Sequence, residues 1–211
     1  MQVELDMATT IEVYYDFRSP YAYFASHRIR SGEIAGRGLR WLWRPVSIDA
    51  LLNLQAGREP WSPYIDPLSA PKRAHLIADV RRLASYYRLP LRPPRPQRPN
   101  SVPALCLAAL VDARERAAFN NAVFDALWQD QRDISDPDVL TACLARAGAQ
   151  PWSLGEALDE SALTNLEVET RQAYARGIFG VPTFVCEGEV FFGNDRLDLL
   201  LWSVERRSGR D

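Results

Sequence analysis

Apolar and polar side chains change their spacing twice along this chain. Residues 11–16, IEVYYD, alternate with a period of two and predict a strand. Ser19-Pro20 then opens YAYFASHRIRSG, a helix with Ser as N-cap, Pro in its first position and Gly32 as its stop. Gly38 to Val46, GLRWLWRPV, reads as a second strand, with Trp41 and Trp43 as core residues. This β-α-β start predicts a parallel pair joined by a right-handed crossover.

From Ile48 to about Gly177 the spacing is helical. Leu76, Val80, Leu83 and Tyr87 share one face of KRAHLIADVRRLASYYRL. ALCLAALVDARERA reads as a more buried helix, and Phe119, Val123 and Leu127 mark another. Asp136-Pro137 opens a helix that Gly148 closes, and a last one runs from about Asp159 to Arg176 and stops at Gly177. Between them LPLRPPRPQRPNSVP, with six prolines, predicts a stiff solvated connection. The spacing returns to two in VPTFVCEGEVFFGN, a hairpin around Glu187-Gly188, and NDRLDLLLWSVERR closes the chain as an amphipathic helix. The expected fold class is therefore α/β, β-α-β … β-β-α interrupted by a large all-helical insertion. Residues 10–47 and 160–211 form the α/β unit in this reading, and 48–159 the insertion.

Composition narrows the function classes. At 211 residues the chain can bury a core without staples. No apolar run approaches the roughly 18 residues of a membrane span. The net charge of −2 argues against general nucleic-acid binding. Arginine supplies all the basic residues but Lys72. The N-terminus MQVELDMATT lacks an apolar signal segment and reads as a disordered lead-in, with Met7 a second possible start. Cys106, Cys143 and Cys186 form neither CxxC nor a zinc spacing, and His27 and His75 lie on helices, so no metal site is expected and a reducing cytoplasm fits. Cys106 and Cys143 fall on apolar helical faces, whereas Cys186 lies in the late strand near the presumed site.

Three places carry chemistry, each with two readings. Ser19 before Pro20 is a good N-cap, and equally a hydroxyl beside the positive end of a helix, where an anion or thiolate is stabilised. Pro182 after Val181 either starts an edge strand or forms a cis peptide that frees neighbouring backbone for a ligand. Asn194 suits an N-cap with Asp195 and Asp198 in the first turn, or Asn194 and Asp195 hold the charged end of a ligand.

Taken together, Asp16-Phe17-Arg18-Ser19-Pro20-Tyr21, Gly177-Ile178-Phe179-Gly180-Val181-Pro182-Thr183-Phe184 and Phe192-Gly193-Asn194-Asp195-Arg196-Leu197 resemble the thioredoxin-fold family of 2-hydroxychromene-2-carboxylate isomerases and kappa-class glutathione transferases. Pro45-Val46 and Asn100-Ser101 match at similar intervals, and the resemblance spans about residues 11–205. DsbA-like oxidoreductases share the topology but place CxxC at the start of the first helix. Here that place reads Ser19-Pro20-Tyr21-Ala22, so thiol–disulfide exchange through it is excluded and the nucleophile must be imported.

The resemblance implies glutathione as that nucleophile. Ser19 would donate to its sulfur, and Val181 before Pro182 would pair with its cysteinyl backbone. Asn194, Asp195 and Arg196 would hold its γ-glutamyl end. Tyr21, Asn53 and Arg58 would face the substrate, although LLNLQAGREP departs from the basic residue and G-N or W-N pair of relatives. The implied activity is reversible thiolate addition to a hydroxybenzylidenepyruvate-type keto acid by a cytoplasmic homodimer. A kappa-like transferase and a non-catalytic binding protein are the alternatives.

Overall fold

The computed structural model describes residues 8–31, 34, 38–66, 68–151, 155 and 159–207, so residues 1–7 of the N-terminal lead-in and the Gly32 stop lie outside the described residues, while Thr9 and Thr10 of the expected lead-in belong instead to the first strand. Its elements are β1 (Thr9–Tyr15), α1 (Pro20–Arg30), β2 (Leu39–Pro45), α2 (Ile48–Gln55), α3 (Ala70–Tyr86), α4 (Val102–Leu110), α5 (Ala113–Trp128), α6 (Pro137–Ala147), α7 (Glu160–Ala175), β3 (Thr183–Cys186), β4 (Glu189–Phe192) and α8 (Leu197–Arg207). A 3₁₀ turn, Asn194–Arg196, leads into α8. The strands form one sheet in the order β2-β1-β3-β4, with β1 and β2 parallel and β3 antiparallel to both β1 and β4.

The strand alternation decides which face each helix covers. Ile11, Val13 and Tyr15 of β1 belong to the larger buried cluster with α1, α5 and α8. Tyr14 turns the other way, toward Leu51 of α2, Ala173 of α7 and Val181. The larger cluster continues without a break into α4, α5 and α6 through Leu105, Phe119, Phe124 and Leu140. Aromatic rings carry the join: Phe17 meets Phe124 edge-on at 5.0 Å, and Tyr23 stacks on Trp128 at 6.3 Å. Tyr15 donates to Asn120 Oδ1 at 2.8 Å, and Trp128 Nε1 to the Phe17 carbonyl at 2.9 Å, so the ring polar atoms are satisfied inside the core.

Capping residues set most helix ends. Asp136 accepts from the amide of Asp138 and Gly148 closes α6 at φ 69°. Asp159 accepts from Ala162 N at the start of α7, and Gly177 follows its end at φ 85°. One expectation is corrected. ALCLAALVDARERA is not one helix, because Asp112 accepts from Arg114 N and starts α5 after a break at Val111. The proline-rich stretch is irregular and mostly exposed, as expected, and is also tied to the core: Arg92 N donates to the Trp128 carbonyl at 2.7 Å, and Tyr23 Oη to that of Pro90 at 3.0 Å.

Candidate active site

Strand directions bring the sequence motifs to one edge of the sheet. β1 and β2 are parallel, so the segments leaving both emerge together; β3 runs against β1 and therefore begins at that edge, and β4 ends there. Cross-links tie the four segments side by side. Val46 N donates to the Tyr15 carbonyl at 3.0 Å, and Gly193 N to that of Pro182 at 2.9 Å. Ser19 Oγ donates to the Val181 carbonyl at 3.2 Å, joining the start of α1 to the start of β3.

Ser19 is the N-cap of α1. Its Oγ accepts from Ala22 N at 3.2 Å as an N-cap, while its proton points at the Val181 carbonyl. The residue is 9% exposed. The Val181–Pro182 peptide is cis, as is Arg95–Pro96. Below Ser19 the Asp16 carboxylate is fully buried and accepts from Arg18 N and Ile48 N, each at 2.9 Å. Burial pushes this carboxyl up, against the charge of Arg18 and the backbone donors.

Asn194 does not cap the last helix. Gly193 (φ 107°) stands at the cap of the 3₁₀ turn, a conformation open to glycine, and a Cβ there would lie 2.5 Å from Asp195 Oδ1. The Asn194 side chain reaches across the chain instead. Its Nδ2 donates to Tyr87 Oη at 2.9 Å, and its own carbonyl accepts from Arg28 Nη1 at 3.0 Å. Asn194 is 2% exposed, yet its Oδ1 has no protein partner. Asp195 and Arg196 face solvent and pair loosely at 3.5 Å.

Tyr21, in the first turn of α1, donates to Asp79 Oδ2 of α3 at 3.1 Å. Burial first, then that bond and the Asp79 and Asp195 charges, push its hydroxyl up to about 12, so it stays protonated at neutral pH. At the β2 end Arg18 clasps Asp49 of α2 with two bonds, 2.6 and 2.8 Å, and Arg98 adds a third at 2.8 Å while lying 3.4 Å over the Tyr64 ring. Asn53 is fully buried; its Nδ2 donates to the Pro60 and Ser62 carbonyls, both at 2.8 Å, and its Oδ1 has no protein partner. Arg58, half-buried, donates to the Pro63 carbonyl at 3.1 Å. These two side chains thus fasten their own loop.

Arg28, Tyr87, Asp79 and Asp49 were not singled out from the sequence. The only trace of Arg28 is its place between Ala25 and Ile29 on the buried face of α1. Tyr87 showed only as part of an apolar face. Cys186 lies at the end of β3 away from the site edge, 2% exposed, and burial raises its thiol. Among the described residues no group of His, Cys, Asp and Glu is arranged to hold a metal ion, and no helix is long and apolar enough to cross a membrane.

Residues 10–204 match the model of the DSBA-like thioredoxin domain. A 2-hydroxychromene-2-carboxylate isomerase from Sphingobium xenophagum is 30% identical over 92% of this chain and 97% of its own. A solved 2-hydroxychromene-2-carboxylate isomerase superposes with a TM-score of 0.77 at 24% identity, covering 94% of this chain and 96% of that one. The cytosolic disulfide reductase DsbM from Pseudomonas aeruginosa, solved with GSH, superposes at 0.59 with 20% identity over 93% of this chain and 99% of its own. The site edge, the absence of a CxxC and these matches converge: the chain belongs to the DSBA-like thioredoxin domain family and, within it, is an enzyme of the 2-hydroxychromene-2-carboxylate isomerase family.

Proposed function

We propose that this enzyme interconverts 2-hydroxychromene-2-carboxylate and trans-o-hydroxybenzylidenepyruvate, or a related conjugated aromatic keto acid, with glutathione as cofactor. The observation that carries the reading is the Ser19 hydroxyl, held at the N-terminus of α1 against the Val181 carbonyl with no thiol of the chain beside it. The residues present fit the tripeptide. Asn194 Oδ1 is a buried acceptor without a protein partner, suited to an ammonium group, and the exposed Asp195 carboxylate adds the matching charge. The DsbM structure with GSH, on the same fold, supports the assignment.

Bound glutathione supplies the nucleophilic sulfur that makes a conjugated carbon–carbon double bond rotatable. The chain's contribution is to keep that sulfur ionised. Ser19 turns its proton from the neutral Val181 carbonyl to a negative sulfur, exchanging an ordinary hydrogen bond for a charge-assisted one of roughly twice the strength. The N-terminus of α1 adds a favourable dipole. A free thiol is only a few per cent thiolate at neutral pH, and these two effects raise that fraction by about tenfold. Tyr21, protonated and tied to Asp79, serves as a fixed wall rather than a base. Arg58 offers a guanidinium to the substrate carboxylate, and Asn53 keeps its loop in place.

The test is a titration of reduced glutathione into wild type and Ser19→Ala, following thiolate absorbance across pH. Ionisation of the bound thiol at lower pH than the free one, lost in the variant, is the expected result. A thiol indifferent to Ser19 sinks the reading. With substrate present, isomer formed while glutathione stays constant supports an isomerase, and glutathione consumed in step with product points to a transferase.

A further inference from the structure

We infer that Asp16 is a positioning residue for this chemistry: its buried carboxylate ties the loop that carries Ser19 to the start of α2, and so keeps the Ser19 hydroxyl aimed at the sulfur of bound glutathione. This rests on the glutathione reading and goes beyond it, because Asp16 is fully buried and that reading gives it no role.

The loop from β1 to α1 runs from Asp16 to Ser19, and Asp16 winds it from both its main chain and its side chain. Its carbonyl accepts from Ser19 N at 3.1 Å, and its Oδ1 from Arg18 N at 2.9 Å. Its Oδ2 reaches out of the loop and accepts from Ile48 N, the first amide of α2, at 2.9 Å. Ser101, buried at the N-cap of α4, brings its hydroxyl to the same carboxylate. One side chain thus gathers the starts of three helices at the site edge. The Arg18–Asp49 pair joins two of the same segments, but through a long side chain that can swing. Asp16 holds main-chain amides, which leaves the loop little freedom.

A carboxylate suits this place because its neighbours all donate. It offers acceptors alone, and a buried N–H left without one is costly. An asparagine has one acceptor end, so its Nδ2 would face either Arg18 N or Ile48 N and one tie would be lost. The sulfur would feel this through Ser19, whose Oγ lies 3.2 Å from both Ala22 N and the Val181 carbonyl. Both contacts are at the long end of the range, where a small shift of the loop breaks alignment. The charge of Asp16 acts the other way, since an anion beneath the site disfavours a thiolate. Position and charge therefore predict opposite signs when the carboxylate is replaced by an amide. Position is the larger effect, because the charge of Arg18 stands against that of Asp16.

The probe is reduced glutathione, with thiolate absorbance followed across pH in wild type, Ser19→Ala, Asp16→Asn and Ile48→Pro. Asp16→Asn should move the midpoint of the bound thiol up and leave about threefold less thiolate at neutral pH, the worth of one weakened hydrogen bond. Combined with Ser19→Ala, it should titrate no higher than Ser19→Ala alone, since Asp16 acts through Ser19. Ile48→Pro removes the amide on Oδ2 and keeps the charge. Proline is at home in the first position of a helix, and Ser47 before it already has the extended backbone that proline requires, φ −83° and ψ 118°. Its midpoint should rise too, by less. A lowered midpoint in Asp16→Asn means that charge dominates, and an unchanged one that Asp16 serves stability alone; either overturns the inference with the cofactor reading intact. If wild type does not lower the midpoint of glutathione, the cofactor reading is overturned and the inference with it. Should Asp16→Asn melt too low to titrate, Ile48→Pro decides, and an unmoved midpoint there overturns the inference.

Discussion

The two ends of the site edge treat charge in opposite ways. At the β2 end Asp49 is clasped by Arg18 and touched by Arg98, so its two oxygens take three hydrogen bonds and the guanidiniums are neutralised in part by their own neighbour. At the β4 end Asp195 faces solvent with one loose pairing, and beside it Asn194 keeps a buried acceptor without a partner. Both carboxylates stand near the start of a helical segment. What separates them is whether the fold itself answers the charge. An answered charge holds three segments together, and an unanswered one at a sheet edge is available to a ligand.

The largest effect should follow from undoing the answered end. Asp49→Asn removes the counter-charge that Arg18 holds by two hydrogen bonds, a loss of about 2–3 kcal/mol for a partly buried pair. Thermal melting should fall by about 5–10 °C for a domain of this size. Glutathione bound per folded molecule should be unchanged. The effect depends on pH in a defined direction. Burial pushes the Asp49 carboxyl up, but the bonds and charges of Arg18 and Arg98 outweigh it and hold it below its ordinary value of 3.8. Its contribution is therefore complete above 3.8 and disappears as pH falls through the lowered value. Denaturant titrations of wild type and Asp49→Asn should show a constant gap near neutrality that closes in strong acid. A gap that persists there would mean that the pair acts through packing rather than charge.

At the unanswered end the order of effects reverses. Asp195→Asn removes a charge that faces water, so melting should move by no more than about 1–2 °C. Glutathione affinity should fall by about tenfold, as expected for one charge-assisted contact. If the same substitution costs stability and leaves affinity alone, the two ends are alike and the distinction fails.

How much of this was legible in the sequence follows from the range of each interaction. Ser19-Pro20, Asp136-Pro137 with Gly148, and Glu187-Gly188 act within a few residues, and all three set the boundaries expected of them. Asp112 is also local, with Glu115 three residues on, but it sits in an alanine-rich stretch whose helix propensity hides the start signal. Asn194 misled for the opposite reason. Its side chain suits a cap, and it is drawn instead to Tyr87, 107 positions away, which no window of sequence reveals. Arg18, Asp49 and Arg98 likewise meet only because the fold brings the segments leaving β1 and β2 against the proline-rich stretch. The motifs marked where the edge lies, and tertiary contact decided which of its charges are open.

The smallest effect on function, and the sharpest discrimination, should come from Arg98→Ala. Arg98 is about half exposed and holds Asp49 by one bond that Arg18 already duplicates. Exposed pairs of this kind contribute about 0.5–1 kcal/mol, so melting should fall by about 1–4 °C. If the β2 end is closed on itself, the variant should keep wild-type turnover and KM for any keto-acid substrate. But Arg98 also lies on Tyr64, an arginine on an aromatic ring, which could receive the carboxylate and ring of such a substrate. A KM raised severalfold with kcat preserved would show that Arg98 binds substrate as well as Asp49. The β2 end would then be a second recognition end, and the rule that an answered charge is only structural would fail for this enzyme at that residue.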